Sequence, residues 1–252
     1  IMLYRSIIGL LIMVALITLT GKWPKVTRDK IGLHVLRNSV HFAGQNLWFF
    51  ALTVIPLAQV FALEFTSPLW VLVLSPLVLG ERLTPIRAFA AVLGFVGILI
   101  VTRPDADSLN IGIFAAALAA VFFAFTTMFT KRLTRTVPTI TILFWLTLIQ
   151  LCLGLVCAGY DGAIALPSAE TAPWLVLIGL AGLLAHFCIT SALAIAPATV
   201  VVPIDFARLP VIAVIGMLFY GEALDIWIFV GAALIFAANY FNIWAETHPQ
   251  KS

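Results

Sequence analysis

The stretch PLAQVFALEFTSPLWVLVLSPLVLGE (56–81) decides the fold. It opens on a proline, holds the acid Glu64 among apolar residues, meets Pro68 four residues later and closes on Gly80-Glu81. A second stretch, PATVVVPIDFARLPVIAVIGMLFYGE (197–222), has the same plan. Pro56/Pro197, Glu64/Asp205, Gly80/Gly221 and Glu81/Glu222 all stand 141 residues apart. Self-similarity at a fixed spacing marks an internal repeat. The two Gly-Glu corners differ in charge: Arg82 and Arg87 follow the first, Ala223 and Asp225 the second. If basic residues stay on the cytoplasmic side, one copy turns inside and the other outside, the pattern of an inverted-topology repeat. Upstream, His41-Phe42 matches His186-Phe187 after a four-residue gap.

Composition agrees with a membrane location. Of 252 residues, 63% are hydrophobic and 10% charged, against about 25% charged in soluble domains. So few charges cannot coat a soluble exterior. That excludes a typical cytosolic enzyme, a disordered chain and a nucleic-acid binder with a basic stripe. Cys152, Cys157 and Cys188 lie in apolar runs with no CxxC or Cys/His cluster, so neither a disulfide framework nor a zinc site is expected. No cofactor is implied.

Nine apolar runs follow one another: 2–20, 33–55, 57–79, 86–102, 111–130, 138–159, 172–195, 199–220 and 225–244. Each is too long and too uniformly apolar for a barrel strand, so all are expected as transmembrane helices. Eleven basic residues then fall on one side: five in 21–38, Arg82 and Arg87, three in 131–137, and Lys251. Only Arg103 falls on the other side, so the positive-inside rule places the C-terminus in the cytoplasm. Inversion requires an odd number of helices per repeat. The second copy (105–252) has five and a short tail, the first (1–104) has four. The sequence therefore predicts an all-α polytopic membrane protein whose parent has ten helices in two inverted five-helix repeats, here without the first helix.

Ionisable groups inside apolar runs carry the functional signal, since each costs about 2.5–3.5 kcal/mol at the bilayer centre on insertion scales. Arg5, Glu64, Asp205 and Arg208 qualify. Asp205 and Arg208 are three residues apart, so on one helix they share a face and can pair, either to hold substrate or to lock helices. Glu64, as the repeat mate of Asp205, is expected near the same axis. Pro68, Pro203 and Pro210 can interrupt their helices beside these acids, and discontinuous helices are where transporters place substrate. His41 and His186, with Glu64, are candidates for proton coupling. Gln59 is a candidate hydrogen-bonding group and Trp70 a candidate wall for substrate. Gln45, Asn46, Gln150, Asn239 and Asn242 read better as interhelical glue. Ala116, Ala120 and Ala124 read as a close-packing stripe. No hydrolase, zincin, P-loop or dinucleotide motif occurs. The alternative to transport is an intramembrane enzyme acting on a lipid-linked substrate through Glu64 and Asp205.

Residues 51–104, with a mid-helix proline, the loop GERLTP (80–85) and a glycine-bearing helix ending in a basic residue, resemble the EamA-type transporters of the drug/metabolite transporter superfamily. Residues 192–224 match the same pattern more loosely, and PIDFARLP (203–210) is similar to an acid–aromatic–x–Arg–Leu stretch in one bacterial branch. Glu64 departs from the small or apolar residue usual before the mid-helix proline. The resemblance implies a bacterial inner-membrane carrier with a central cavity and alternating access. Family members export amino acids and drugs or import metabolites such as S-adenosylmethionine and riboflavin. The expected substrate is a small polar or amphipathic metabolite, zwitterionic or drug-like, bound by Asp205, Arg208, Glu64, Arg5, Gln59 and Trp70. Membrane lipids are the other expected partner, and nucleic acid is not one.

Overall fold

The structure is a computed structural model and describes residues 1–55, 57–80, 84–102, 110–160, 162, 164, 166–202, 204, 208–221 and 226–247. Among these residues the chain is helical, with no strand. The α-helices are α1 (Met2–Leu19), α2 (Ile31–Val54), α3 (Leu57–Glu64), α4 (Ser67–Leu79), α5 (Pro85–Thr102), α6 (Ile111–Thr134), α7 (Thr139–Ala158), α8 (Ala172–Ile195), α9 (Ala198–Val201), α10 (Arg208–Tyr220) and α11 (Ile226–Thr247). A 3-10 turn (Trp23–Lys25) follows α1. Of the described helices, α1, α6, α7 and α8 are long and apolar enough to cross a bilayer. An apolar surface suits them to lipid, where a helix satisfies its own backbone.

The run at 57–79 is two helices, α3 and α4, parted at Phe65-Thr66. Pro68 lies in the first turn of α4. It has no N–H to offer Glu64, and its ring would crowd that carbonyl, so α3 stops there. Thr66 closes the gap locally by donating its hydroxyl to the Leu63 carbonyl at 2.7 Å. The run at 199–220 divides likewise into α9 and α10. Pro203 and Asp205 lie outside the described residues, as do Pro56, Glu81, Arg82, Arg103, Glu222 and Asp225.

Helix starts recur at the spacing seen in the sequence: Ile31/Ala172, Leu57/Ala198, Ser67/Arg208 and Pro85/Ile226 are each 141 apart. Gly80 and Gly221 share left-handed φ values of 68° and 66°, a conformation glycine adopts without steric penalty. The equal starts of α2 and α8 also correct the histidine alignment. By helix position His186 corresponds to Gln45, one turn beyond His41, and no gap is needed.

Two compact units form, each drawing on both sequence halves. One comprises Ile1–Phe42 and Phe129–Ala196, the other Ala43–Met128 and Pro197–Ser252. The halves 1–104 and 105–252 thus describe sequence repetition, and the compact units interleave them. In the first unit α1 and α7 run antiparallel at close approach. A Cβ on Gly154 would lie 3.2 Å from the Leu3 Cα, and one on Gly9 would lie 3.1 Å from the Thr147 methyl. On α8, a Cβ on Gly179 would meet Ile8 at 2.9 Å. Small residues let membrane helices approach this way, where lipid removes most of the hydrophobic drive. Met13, Ile17, Leu143 and Leu146 pack beyond the glycines. In the second unit α5 lies along α11, and Ala51, Ile55, Val60, Ala115 and Ala116 form a core. Ala116, Ala120 and Ala124 are fully buried, as a packing stripe requires.

Two of the basic residues counted toward the cytoplasmic side make specific bonds within or at the end of helices. Arg37 is inside α2 and buried, donating to Thr130 Oγ1 at 3.0 Å and Asn38 Oδ1 at 2.7 Å. Lys131 is in the last turn of α6, and its ammonium donates to the carbonyls of Leu193 at 2.8 Å and Ala196 at 2.7 Å. It thereby closes the C-terminal end of α8, where carbonyls lack intrahelical donors.

Candidate functional site

The second unit holds an ion pair at the helix break. Glu64 ends α3 because Pro68 prevents its continuation, and Arg208 opens α10. Arg208 donates from a terminal nitrogen to Glu64 Oε1 at 3.1 Å, across 144 residues of sequence. Glu64 Oε2 accepts the Trp48 indole N–H at 2.7 Å. Both carboxylate oxygens thus accept hydrogen bonds, which fix the orientation of the group. The Arg208 guanidinium also stands 5.5 Å from the centroid of the Phe65 ring, a cation–π distance. Phe61 meets Trp48 edge-on with centroids 5.5 Å apart, so aromatic faces flank the pair. The Arg208 side chain is 45% exposed and Glu64 only 16%. Glu64 is therefore the buried anchor, and the guanidinium is the group a ligand can reach.

The sequence pointed to Asp205 as a partner of Arg208; Asp205 lies outside the described residues, and among those described Glu64 pairs with Arg208. Gln59 is half-buried on α3 and Trp70 exposed on α4; among the described residues neither bonds to the ion pair. Trp48 and Phe65 complete the cluster. Nothing local in the sequence links residue 48 to residue 64.

The first unit contains a small, partly open cavity of about 20 Å³ between α1, α7 and α8. Arg5, Ser6, Thr147, Gln150 and His186 supply its polar lining. The Arg5 side chain reaches α8 where Gly182 leaves room, its Cδ 3.5 Å from where a Cβ would be. His41 is buried and meets His186 in a T-shaped contact with centroids 4.9 Å apart. Behind the cavity, Gln150 donates from Nε2 to the Asn38 carbonyl at 2.9 Å. The structure thus gathers Arg5 and His186 in one cavity, with His41 against His186, and gathers Glu64 and Arg208 elsewhere. Among the described residues no cluster of His, Cys, Asp or Glu can hold a metal.

Known proteins resemble the chain along its length. The EamA-like transporter family profile matches residues 1–103 and 110–244. A riboflavin transporter of Brucella anthropi is 34% identical over 242 residues, which cover 94% of this chain and 85% of that protein. A riboflavin transporter of Vibrio cholerae is 31% identical over 249 residues, covering 97% and 82%. An S-adenosylmethionine uptake transporter of Rickettsia felis is 27% identical over 214 residues, covering 85% and 72%. One solved crystal structure superposes with a TM-score of 0.76 over 99% of this chain and 88% of its own, at 18% identity.

Proposed function

Because the chain belongs to the EamA-like transporter family, a family of integral membrane proteins that move small metabolites, we propose that it is a secondary carrier for a flat, polar heteroaromatic metabolite of the riboflavin kind. The protein is a transporter and not an enzyme, so the lipid-linked-substrate alternative falls away. Two riboflavin transporters above 30% identity favour that substrate class over the S-adenosylmethionine class, whose relative stands at 27%.

The observation that carries this reading is the cluster of Glu64, Arg208, Trp48 and Phe65 at the helix break. A planar substrate stacks on aromatic faces, and a guanidinium reads its carbonyl edge. Arg208 is the recognition group and Glu64 its positioning residue, with Asp205, Gln59 and Trp70 as further substrate contacts. The carrier works by alternating access between two inverted repeats. The recurrence of helix starts every 141 residues supports that plan. It resides in a bacterial inner membrane with its C-terminus in the cytoplasm, and Glu64, His41 or His186 couples transport to protons.

The test is reconstitution of the full chain in vesicles with radiolabelled riboflavin. Saturable uptake is expected, reduced at least tenfold by Arg208→Gln and quickened by a proton gradient. Absence of saturable uptake overturns the substrate class. Full uptake by Arg208→Gln overturns the site, and indifference to the gradient removes the coupling.

A further inference from the structure

At one end of the first unit two basic stretches of chain are held together. The α1–α2 connection reads GKWPKVTRDK (21–30), and α6 closes on KRLTR (131–135). Lys22, Lys25, Arg28, Lys30, Arg132 and Arg135 are all exposed. Asp29 is the single acid in the two stretches.

The backbone beneath these cations is fixed. The Lys25 carbonyl accepts from the Thr141 hydroxyl, and the Thr27 carbonyl accepts from the Trp145 indole N–H at 2.8 Å. Both bonds tie the α1–α2 connection to the first turns of α7. Leu33, in the first turn of α2, packs on Leu133, Val137 and Ile142, so the α6–α7 corner is held against the start of α2. Lys30 stands at φ 56°, where glycine would be less strained. Its carbonyl accepts from the N–H groups of Leu33 and His34 at 2.8 and 3.1 Å. The cations therefore rise from a pre-organised frame, which lowers the ordering cost of binding.

Their depth follows from α1. Its apolar run ends at Leu19, which is largely exposed, and Lys22 comes three residues later. Trp23 is exposed as well, meets Phe144 edge-on with centroids 6.0 Å apart, and donates its indole N–H to Thr18 Oγ1 at 3.1 Å. An exposed tryptophan at the end of a membrane-spanning helix marks the headgroup level.

We propose that this surface is a docking site for the phosphate headgroups of anionic phospholipids. A zwitterionic headgroup brings an ammonium with its phosphate, and six cations against one acid repel it. A phosphodiester without an ammonium meets only the attraction. Basic residues beside a helix end also orient a membrane protein, but orientation needs only their number. A fixed frame that holds two such stretches together goes further, because it offers one headgroup several cations at once. The inference stands apart from the substrate and its site.

The full chain is reconstituted in phosphatidylcholine vesicles, and spin-labelled phosphatidylglycerol and phosphatidylcholine are compared by the fraction of each immobilised at the protein. The wild type should prefer phosphatidylglycerol by about threefold or more. Raising sodium chloride from about 0.1 M to about 1 M shortens the screening length from about 10 Å to about 3 Å, and the preference should fall below about twofold. Lys25→Gln with Arg28→Gln should at least halve it, while the matched pair Arg82→Gln with Arg87→Gln, in another connection, should leave it unchanged. Equal immobilisation of the two lipids by the wild type overturns the docking site, and that comparison needs no variant to fold. A preference that survives the first pair of changes, or falls as far with the second, overturns its assignment to this surface. Displacement of the labelled phosphatidylglycerol by millimolar glycerol 1-phosphate would make a soluble anion the ligand and overturn the lipid reading.

Discussion

Arg208 and Glu64 divide the work of recognition by exposure. Glu64, at 16% exposed, is held by two donors, whereas the Arg208 side chain is 45% exposed. Glu64→Gln retains an acceptor for Trp48 but removes the charge that fixes Arg208. Uptake should fall about tenfold, equivalent to about 1.4 kcal/mol, and Glu64→Asp should recover part of it. Trp48→Phe keeps the aromatic wall and removes the indole donor; a fall of about threefold in uptake is expected, in line with one hydrogen bond of about 0.5–1.5 kcal/mol. Unaltered uptake in both variants would show that the pair is a structural lock. Glu64, Arg208 and Arg5 were legible in the sequence because charge is costly in an apolar run. Their partners were not. Local spacing could nominate Asp205, which lies outside the described residues, but not Glu64, which arrives from 144 residues away. Gln150 was legible only as interhelical glue, because a glutamine that bridges helices and one that faces a cavity look alike in sequence. Here its amide N–H bridges to the Asn38 carbonyl on α2.

At the scale of elements, the glycines of the first unit set how closely α1 meets its neighbours. Gly179→Leu drives a branched side chain into Ile8, whose Cβ and Cγ2 already limit the space. Overpacking of this kind costs about 1–3 kcal/mol, so thermal melting of the detergent-purified protein should fall by several degrees. Gly32 lies in α2 with nothing within 4 Å of a Cβ, so Gly32→Ala should leave melting unchanged or raise it slightly. Lys131→Met removes two donors from the end of α8. Amide hydrogen exchange at 193–196 should quicken, while the middle of α8 stays protected. The proline breaks at 65–66 and after α9 were readable, because proline's missing donor and fixed ring act on the residues beside it. The burial of Arg37 was not, because a basic residue near a helix end reads as cytoplasmic until Thr130 and Asn38 are brought to it.

For the whole molecule, sequence repetition and compact units answer different questions. The repeat spaces the helices every 141 residues, yet each compact unit takes segments from both copies. The expected orientation places Arg28 on the cytoplasmic side and Ser168 outside. Cysteines introduced at these positions should react with an impermeant thiol reagent from opposite faces of sealed cells and inverted vesicles. Cys152, Cys157 and Cys188 are exposed, so all three must first be replaced by serine. Labelling of both positions from one face would overturn the orientation. What the sequence by itself determined was local: helices from apolar runs, their breaks from proline, their left-handed ends from glycine, and the spacing that repeats them. Each follows from the covalent chemistry of neighbouring residues. Only the tertiary structure decided which polar groups meet: Glu64 with Arg208, Gln150 with Asn38, and Arg5 with His186 in one cavity. Those pairings depend on which faces of distant helices come together, which no local pattern encodes.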